Sequence, residues 1–209
     1  MTSRKTKLVM VALAVALGTG AVTGQADKAT GPQDARLEPA LTEARRVADE
    51  LTVKVRGLLM SELDKGGFDG AVRVCAEVAQ DITRQFNQQP GRTVRRVSLG
   101  YRNTRDLPDA YEAQKLKSFD TLNRDQKLPQ ESYEIVRENG REYLRYLRPV
   151  IAGAMCLKCH GQPDEIPIAV QRVLQERYPN DQATGYHAGD VRGAVSVRIA
   201  LPKQTGRQK

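Results

Sequence analysis

The chain has 209 residues, 33 Lys and Arg against 25 Asp and Glu, a formal net charge of +8 and 40% apolar residues, enough to bury a core without disulfide staples. Three of the positive charges (Arg4, Lys5, Lys7) fall at the extreme N-terminus and the other basic residues are interleaved with acids, so the charge excludes a nucleic-acid-binding stripe. The absence of Trp and the scarcity of Phe exclude a base-stacking platform.

Residues 1–7 are basic, 8–22 are apolar and uncharged, and small residues stand at Gly24 and Ala26. This is the pattern of a secretory signal peptide over 1–26, cleaved after Ala26. The uncharged stretch is close to the ~20 residues that span a bilayer, so an uncleaved membrane anchor is the alternative. Residues 27–36 are polar, contain Gly31 and Pro32, and predict a linker. From 37 to 63, Leu37, Leu41, Ala44, Val47, Leu51, Val55 and Leu58 recur at three- and four-residue steps, which predicts an amphipathic helix stopped at Lys65-Gly66-Gly67. A second helix is expected over 68–86, with Ala71, Val74 or Cys75, Val78, Ala79, Ile82 and Phe86 on its apolar side.

Gln88-Gln89-Pro90-Gly91 reads as a turn and 93–103 as a strand, with Val97, Leu99 and Tyr101 alternating with Arg96, Ser98 and Arg102. Pro108 opens a short helix with Asp109 and Glu112 in its first turn and Lys115 and Lys117 in its last, an order that suits the helix dipole. Over 131–148 two alternating segments flank Glu138-Asn139-Gly140, a strong hairpin signal. A helix follows over 166–178, ended by Pro179, then a Gly- and Asp-rich loop, then a last strand over 191–201 in which Val195, Val197 and Ile199 alternate with Ser196 and Arg198. The tail 203–209 reads as flexible. Helices and hairpin-joined strands in this order predict an α+β domain over 37–202, an antiparallel sheet with packed helices.

Between the hairpin and the last helix stands Cys156-Leu157-Lys158-Cys159-His160. Cys-x-x-Cys-His is the attachment signature of a c-type haem. Each thiol S–H adds across one porphyrin vinyl group to give a thioether, and the adjoining imidazole supplies a neutral nitrogen to the iron. The rival readings are a zinc knuckle, which lacks a second Cys/His pair to reach four ligands, and a redox dithiol. One covalent haem c, attached at Cys156 and Cys159 and ligated by His160, is therefore the expected cofactor. Bacterial c-type haem is attached outside the cytoplasm, in agreement with the signal peptide and an exported, periplasmic location. Cys75 then has no disulfide partner, and its chemistry leaves two readings open, a buried small hydrophobe or a thiolate iron ligand. His187, Met60 and Met155 are rival ligands. Arg95, Arg96 and Arg102 are candidate partners of the haem propionates, since an Arg fork matches a carboxylate; a solvent-facing strand side is the alternative.

Three stretches together carry a resemblance: Arg95-Arg96-Val97-Ser98-Leu99 with Arg102-Asn103 and Pro108-Asp109-Ala110-Tyr111-Glu112; Met155-Cys156-Leu157-Lys158-Cys159-His160-Gly161; and Tyr178-Pro179-Asn180-Asp181-Gln182-Ala183-Thr184-Gly185-Tyr186 with Gly189-Asp190-Val191-Arg192-Gly193-Ala194. The sequence resembles the single-haem c-type domains with a PAS-like fold, a family of unknown function found as exported proteins and as input domains of sensor kinases. The resemblance implies His160 as one axial ligand and a cysteine of an early helix, here Cys75, as the other. With both axial positions filled by protein, redox or gas sensing or single-electron transfer is expected rather than enzyme turnover. A redox partner or signalling protein would receive the output. The alternatives are a peroxidase-like haem oxidoreductase and a zinc-bound interaction module.

Overall fold

The computed structural model describes residues 34–203. The expected signal peptide, residues 27–33 of the expected linker and the tail from 204 lie outside the described residues. Four strands form one antiparallel sheet: β1 (Arg92–Val97), β2 (Ser132–Glu138), β3 (Arg141–Ile151) and β4 (Val191–Ala200), in the spatial order β1-β4-β3-β2. The hairpin between β2 and β3 turns at Asn139 (φ 50°) and Gly140 (φ 75°), the left-handed pair that an Asn-Gly turn supplies with little strain. The last strand of the chain inserts between the first and third, so β4 is paired on both sides.

One helix covers one face of this sheet. It is α1 (Leu37–Gln85), and its backbone leaves helical geometry at Gly66 (φ −140°, ψ 15°) and Gly67 (φ 65°, ψ −164°), the expected break. Gly67 adopts a conformation that L side chains rarely take, so the break depends on glycine. In the first arm, residues 37–65, Ala40, Leu41, Ala44, Val47, Ala48 and Leu51 are buried against Val94 of β1, Leu144 and Tyr146 of β3, and Val195 and Val197 of β4. These are one helical stripe and the alternate residues of three strands, which is why they meet. The arm is tied to the sheet by Arg45, whose Nη2 donates to Glu131 Oε1 at 2.5 Å, while Tyr146 Oη donates to Glu131 Oε2 at 3.1 Å.

The second helix, α2 (Ala110–Arg124), packs Leu116 and Phe119 on Val97, Leu147, Val191 and Ala194, on the other sheet face. It starts with a capping box. Asp109 Oδ1 accepts from the Glu112 amide at 2.8 Å, and Glu112 Oε2 accepts from the Asp109 amide at 2.8 Å. The helix runs on to Arg124, two turns past Lys117, where its last turn was expected. Glu112 is in the first turn as expected; it is only 2% exposed and also pairs with Arg95 at 2.8 Å. The expected strand 93–103 is shorter and stops at Val97. The Ser98 amide turns away to the Asp106 carbonyl (3.1 Å), and a short 3-10 turn (Thr104–Asp106) follows.

The second arm of α1, residues 68–85, carries a smaller core. Val72 packs on Ile166 and on Val170, Val173 and Leu174 of α4 (Ile168–Arg177), with Phe68, Tyr178 and Cys159 at its edge. The helical turn α3 (Leu157–His160) contains the second half of the cysteine motif, directly after a 3-10 turn (Ala154–Cys156). The α+β class and the antiparallel sheet with helices packed on it are as the sequence leads one to expect. Among the described residues no helix is long and apolar enough to cross a membrane.

Candidate functional site

The geometry of the site starts from α3. A single turn of helix leaves its last carbonyls without partners, and the loop 181–186 supplies them. The Tyr186 amide donates to the His160 carbonyl at 3.0 Å and the Gly185 amide to the Gly161 carbonyl at 2.8 Å. Arg102 Nη2 donates to the Cys159 carbonyl at 2.5 Å, and its Nε to Asp181 Oδ2 at 2.9 Å. Asp181 in turn accepts from the Ala183 amide at 2.8 Å. Gly161 closes the turn through its amide to Leu157 O (2.8 Å), so tightly that a Cβ would stand 2.6 Å from that oxygen.

This frame fixes the imidazole of His160. Nδ1 lies 2.7 Å from the Ala183 carbonyl, which can only accept, so Nδ1 carries the proton and Nε2 keeps its lone pair. Arg192 Nε is 3.3 Å from the same Nδ1. A protonated Nδ1 cannot accept from it, so we read that contact as a nearby positive charge and the shorter carbonyl contact as the hydrogen bond. Burial, reinforced by Arg192 and Arg102, pushes the His160 pKa well below the usual histidine range. The ring is neutral and has one free donor nitrogen, the state a metal ligand needs, with its other N–H oriented by a carbonyl.

Arg192 reaches this position through a β-bulge. Along β3–β4, Val150 faces Gly193 and Ile151 faces Val191, so Arg192 is the extra residue without a ladder partner. Its Nη1 donates to Ser98 Oγ (2.7 Å) and to the Gly100 carbonyl (3.0 Å), and Ser98 Oγ donates back to the Arg192 carbonyl at 2.7 Å. Its guanidinium lies 5.1 Å from the Tyr186 ring centroid, and that ring meets His160 edge-on with centroids 6.4 Å apart.

The three cysteines are all half-buried free thiols. Burial lifts the Cys159 pKa to about 11, Arg102 opposes the rise, and the nearby thiols of Cys75 and Cys156 add to it. Cys75 is raised too, by burial, with Arg96 pulling it down. The fold thus brings Cys75, on the second arm of α1, into the neighbourhood of the motif, 81 residues away in the chain.

A family model described as Tll0287-like matches residues 22–200. The chain belongs to that family. A solved structure, that of the cyanobacterial heme-protein Tll0287, is similar at 28% identity and a TM-score of 0.61, over 80% of this chain and 99% of that one. No curated protein matches the chain.

The remaining candidates of this Tll0287-like chain fall into different places. Successive strand residues face opposite ways, and that separates Arg95 from Arg96. Arg95 is spent on Glu112 (2.8 Å) and on the Leu107 carbonyl (2.5 Å), on the α2 side. Arg102 is the clamp on α3. The Arg96 side chain makes no hydrogen bond or ion pair with any described residue, and its buried Nε has no partner. It lies on the α1 side, where it acts on the Cys75 thiol. His187 is exposed, with Nδ1 3.5 Å from Asp190 Oδ2 and Nε2 accepting from Gln162 Nε2 at 3.2 Å.

The donor set therefore fits a c-type haem: two thiols spaced for one porphyrin edge, an imidazole with Nε2 free, and a third thiol and an unpaired guanidinium on the facing helix and strand. Among the described residues no three His, Cys, Asp or Glu side chains are gathered to hold a bare metal ion. Reading the residues alone misses Arg192, the Ala183 carbonyl and Tyr186. A lone Arg at the start of an apolar strand was the available signal for Arg192; the carbonyl leaves none in the sequence.

Proposed function

We propose that this chain is an exported mono-haem c-type protein with a PAS-like fold, in which Cys156 and Cys159 hold the haem and His160 and Cys75 are the axial ligands. The observation that carries the reading is the state of His160, neutral and anchored at Nδ1, beside two free thiols of the attachment motif. The similarity to a haem protein over nearly all of that protein's length supports the cofactor.

The haem would supply a one-electron couple and an iron that binds diatomic gases. The chain's own residues set how that couple behaves. The carbonyl of Ala183 holds the imidazole in one tautomer and one orientation. Cys75 as a thiolate would favour ferric iron and lower the reduction potential. Were the iron reduced, Cys75 is the residue that would be held more weakly, and its place would be open to a gas. Arg96, with donors left over, is placed to stabilise that thiolate or a propionate. Such a site suits redox or gas sensing, or single-electron transfer to a partner protein, in the periplasm. A peroxidase-like reading draws no support, because His187, the one histidine outside the motif, is 74% exposed on its own loop.

The test is the full chain made in a host that matures c-type cytochromes. The expected product is red, carries haem that stays attached on denaturation, and gives a two-thioether pyridine haemochrome. A colourless chain of unmodified mass, or one loaded with zinc, overturns the proposal.

A further inference from the structure

A groove of about 520 Å³ lies on the sheet face opposite the first arm of α1, between α2 and the loop that holds His160. That volume is in the range of small-molecule sites. Its apolar wall is Leu99, Leu116, Val191 and the ring of Tyr186. Leu99 is 37% exposed there, an apolar side chain without full cover. The charged groups along it are Lys117, Asp120 and Arg124 of α2 and Asp190 of the loop, two of each sign. Opposite charges on one helix face normally pair, yet Lys117, Asp120 and Arg124 form no ion pair with one another, while Asp190 is engaged on one oxygen by His187, whose amide donates to Oδ2 at 2.7 Å and whose Nδ1 lies 3.5 Å from it. Neither the Lys117 ammonium nor the Asp120 carboxylate makes a hydrogen bond or ion pair with any described residue. Asp120 is half-buried, and burial holds its carboxyl above the usual range, with Arg124 opposing the rise and Asp190 adding to it. Arg124 attracts that carboxylate without forming an ion pair, which leaves the space between Asp120 and Asp190 open to a cation. The exposed Lys117 and Arg124 stand at the same rim without an ion pair to any described residue.

We propose that this groove binds a small zwitterion of the α-amino-acid type, its ammonium between Asp120 and Asp190 and its carboxylate toward Lys117 and Arg124. The occupant rests against Tyr186, whose amide holds the His160 carbonyl (3.0 Å) and whose ring abuts the imidazole. Thr184 and Gly185, also in the wall, adjoin the Ala183 carbonyl that orients His160. Occupancy is thereby coupled to the iron ligand, and this second step rests on the haem reading above, whereas the binding step does not.

The test is thermal unfolding of the full chain, bare and haem-loaded, with each free L-α-amino acid at about 10 mM and with methylammonium and acetate as controls. At least one amino acid is expected to raise Tm by about 5–10 °C once present at ~100 times its Kd, with no effect of either control. Asp120→Asn and Lys117→Gln should each weaken its calorimetric affinity by about tenfold or more. A panel without any response overturns the site, and an equal response to methylammonium or acetate, or undiminished binding in both variants, overturns the zwitterion. If an amino acid binds and the Soret band and midpoint potential of the haem-loaded protein stay unchanged at saturation, the coupling is overturned. A chain without haem still gives the binding result, so failure of the haem reading and failure of this one are distinguishable.

Discussion

The two arms of α1 belong to one helix but end in different surroundings. The first arm is closed by the chain itself. Its apolar stripe, from Ala40 to Leu51, is at most 8% exposed, and the polar groups at its border are matched. Arg45 meets Glu131, Arg92 meets Glu43, and Asn87 pairs with Val94 through both its amide oxygen and its amide nitrogen, as a strand residue would. The second arm is closed only in part. Ala71, Val72 and Ala79 are buried, while Val74, Cys75 and Val78 remain half-exposed beside an Arg96 nitrogen without a partner. The comparison teaches that half-finished packing can mark a place where something other than polypeptide completes the core.

The contrast can be broken by substitutions that separate stability from cofactor. The largest loss of stability is expected in the closed half. Leu51→Ala removes a side chain with no exposure and should cost about 2–5 kcal/mol in urea unfolding, equally in bare and haem-loaded protein. A smaller loss confined to the haem-loaded form would contradict the assignment of the two halves.

Acid comes next. Arg46 and Arg92 hold the carboxyl of Glu43 below its usual range, Arg45 and Tyr146 that of Glu131, and Arg198 and Arg145 that of Glu138. Depressed folded-state values mean that the unfolded chain takes up these protons first as pH falls. Their contribution is complete above about pH 4.5 and is lost below it. The urea midpoint should hold between about pH 7 and 5 and drop steadily toward about pH 3; a midpoint rising with acid would refute it.

Arg192→Leu removes the donor to Ser98 Oγ and one of the two donors to the Gly100 carbonyl, the other being Ser98 Oγ, and should cost about 1–3 kcal/mol. It should also alter the haem spectrum, since it removes a charge beside His160. Stability lost with the spectrum unchanged would reduce Arg192 to a strut. The smallest stability effect is expected at the residue with the largest spectroscopic one. Cys75→Ser should change unfolding by less than about 1 kcal/mol, yet shift the ferric Soret band and raise the midpoint potential. An unshifted band would remove Cys75 from the iron.

Much of this was legible in the residues because the signals were local. Gly66-Gly67 broke the helix, Asn139-Gly140 turned the hairpin, and Cys156-x-x-Cys159-His160 pointed to a haem, the cofactor that the similarity to a haem protein supports. What could not be read depended on partners distant in sequence. The end of β1 is set by Asp106 taking the Ser98 amide, and the burial of Glu112 on α2 goes with its pairing to Arg95 of β1. Alternation did distinguish the faces of Arg95 and Arg96, but only the packed helices give those faces different meanings. The tautomer of His160 follows from a main-chain oxygen, which every residue has and no side-chain pattern reveals.

The single supernumerary residue in β4 has a consequence for how this fold can vary. Deleting one residue there would let the two strands zip together without interruption, and the guanidinium would be carried away from the imidazole even if an arginine were retained nearby. The spot is thus addressed by counting along the chain as well as by chemistry, so length changes at this point should be tolerated less readily than swaps of side chain.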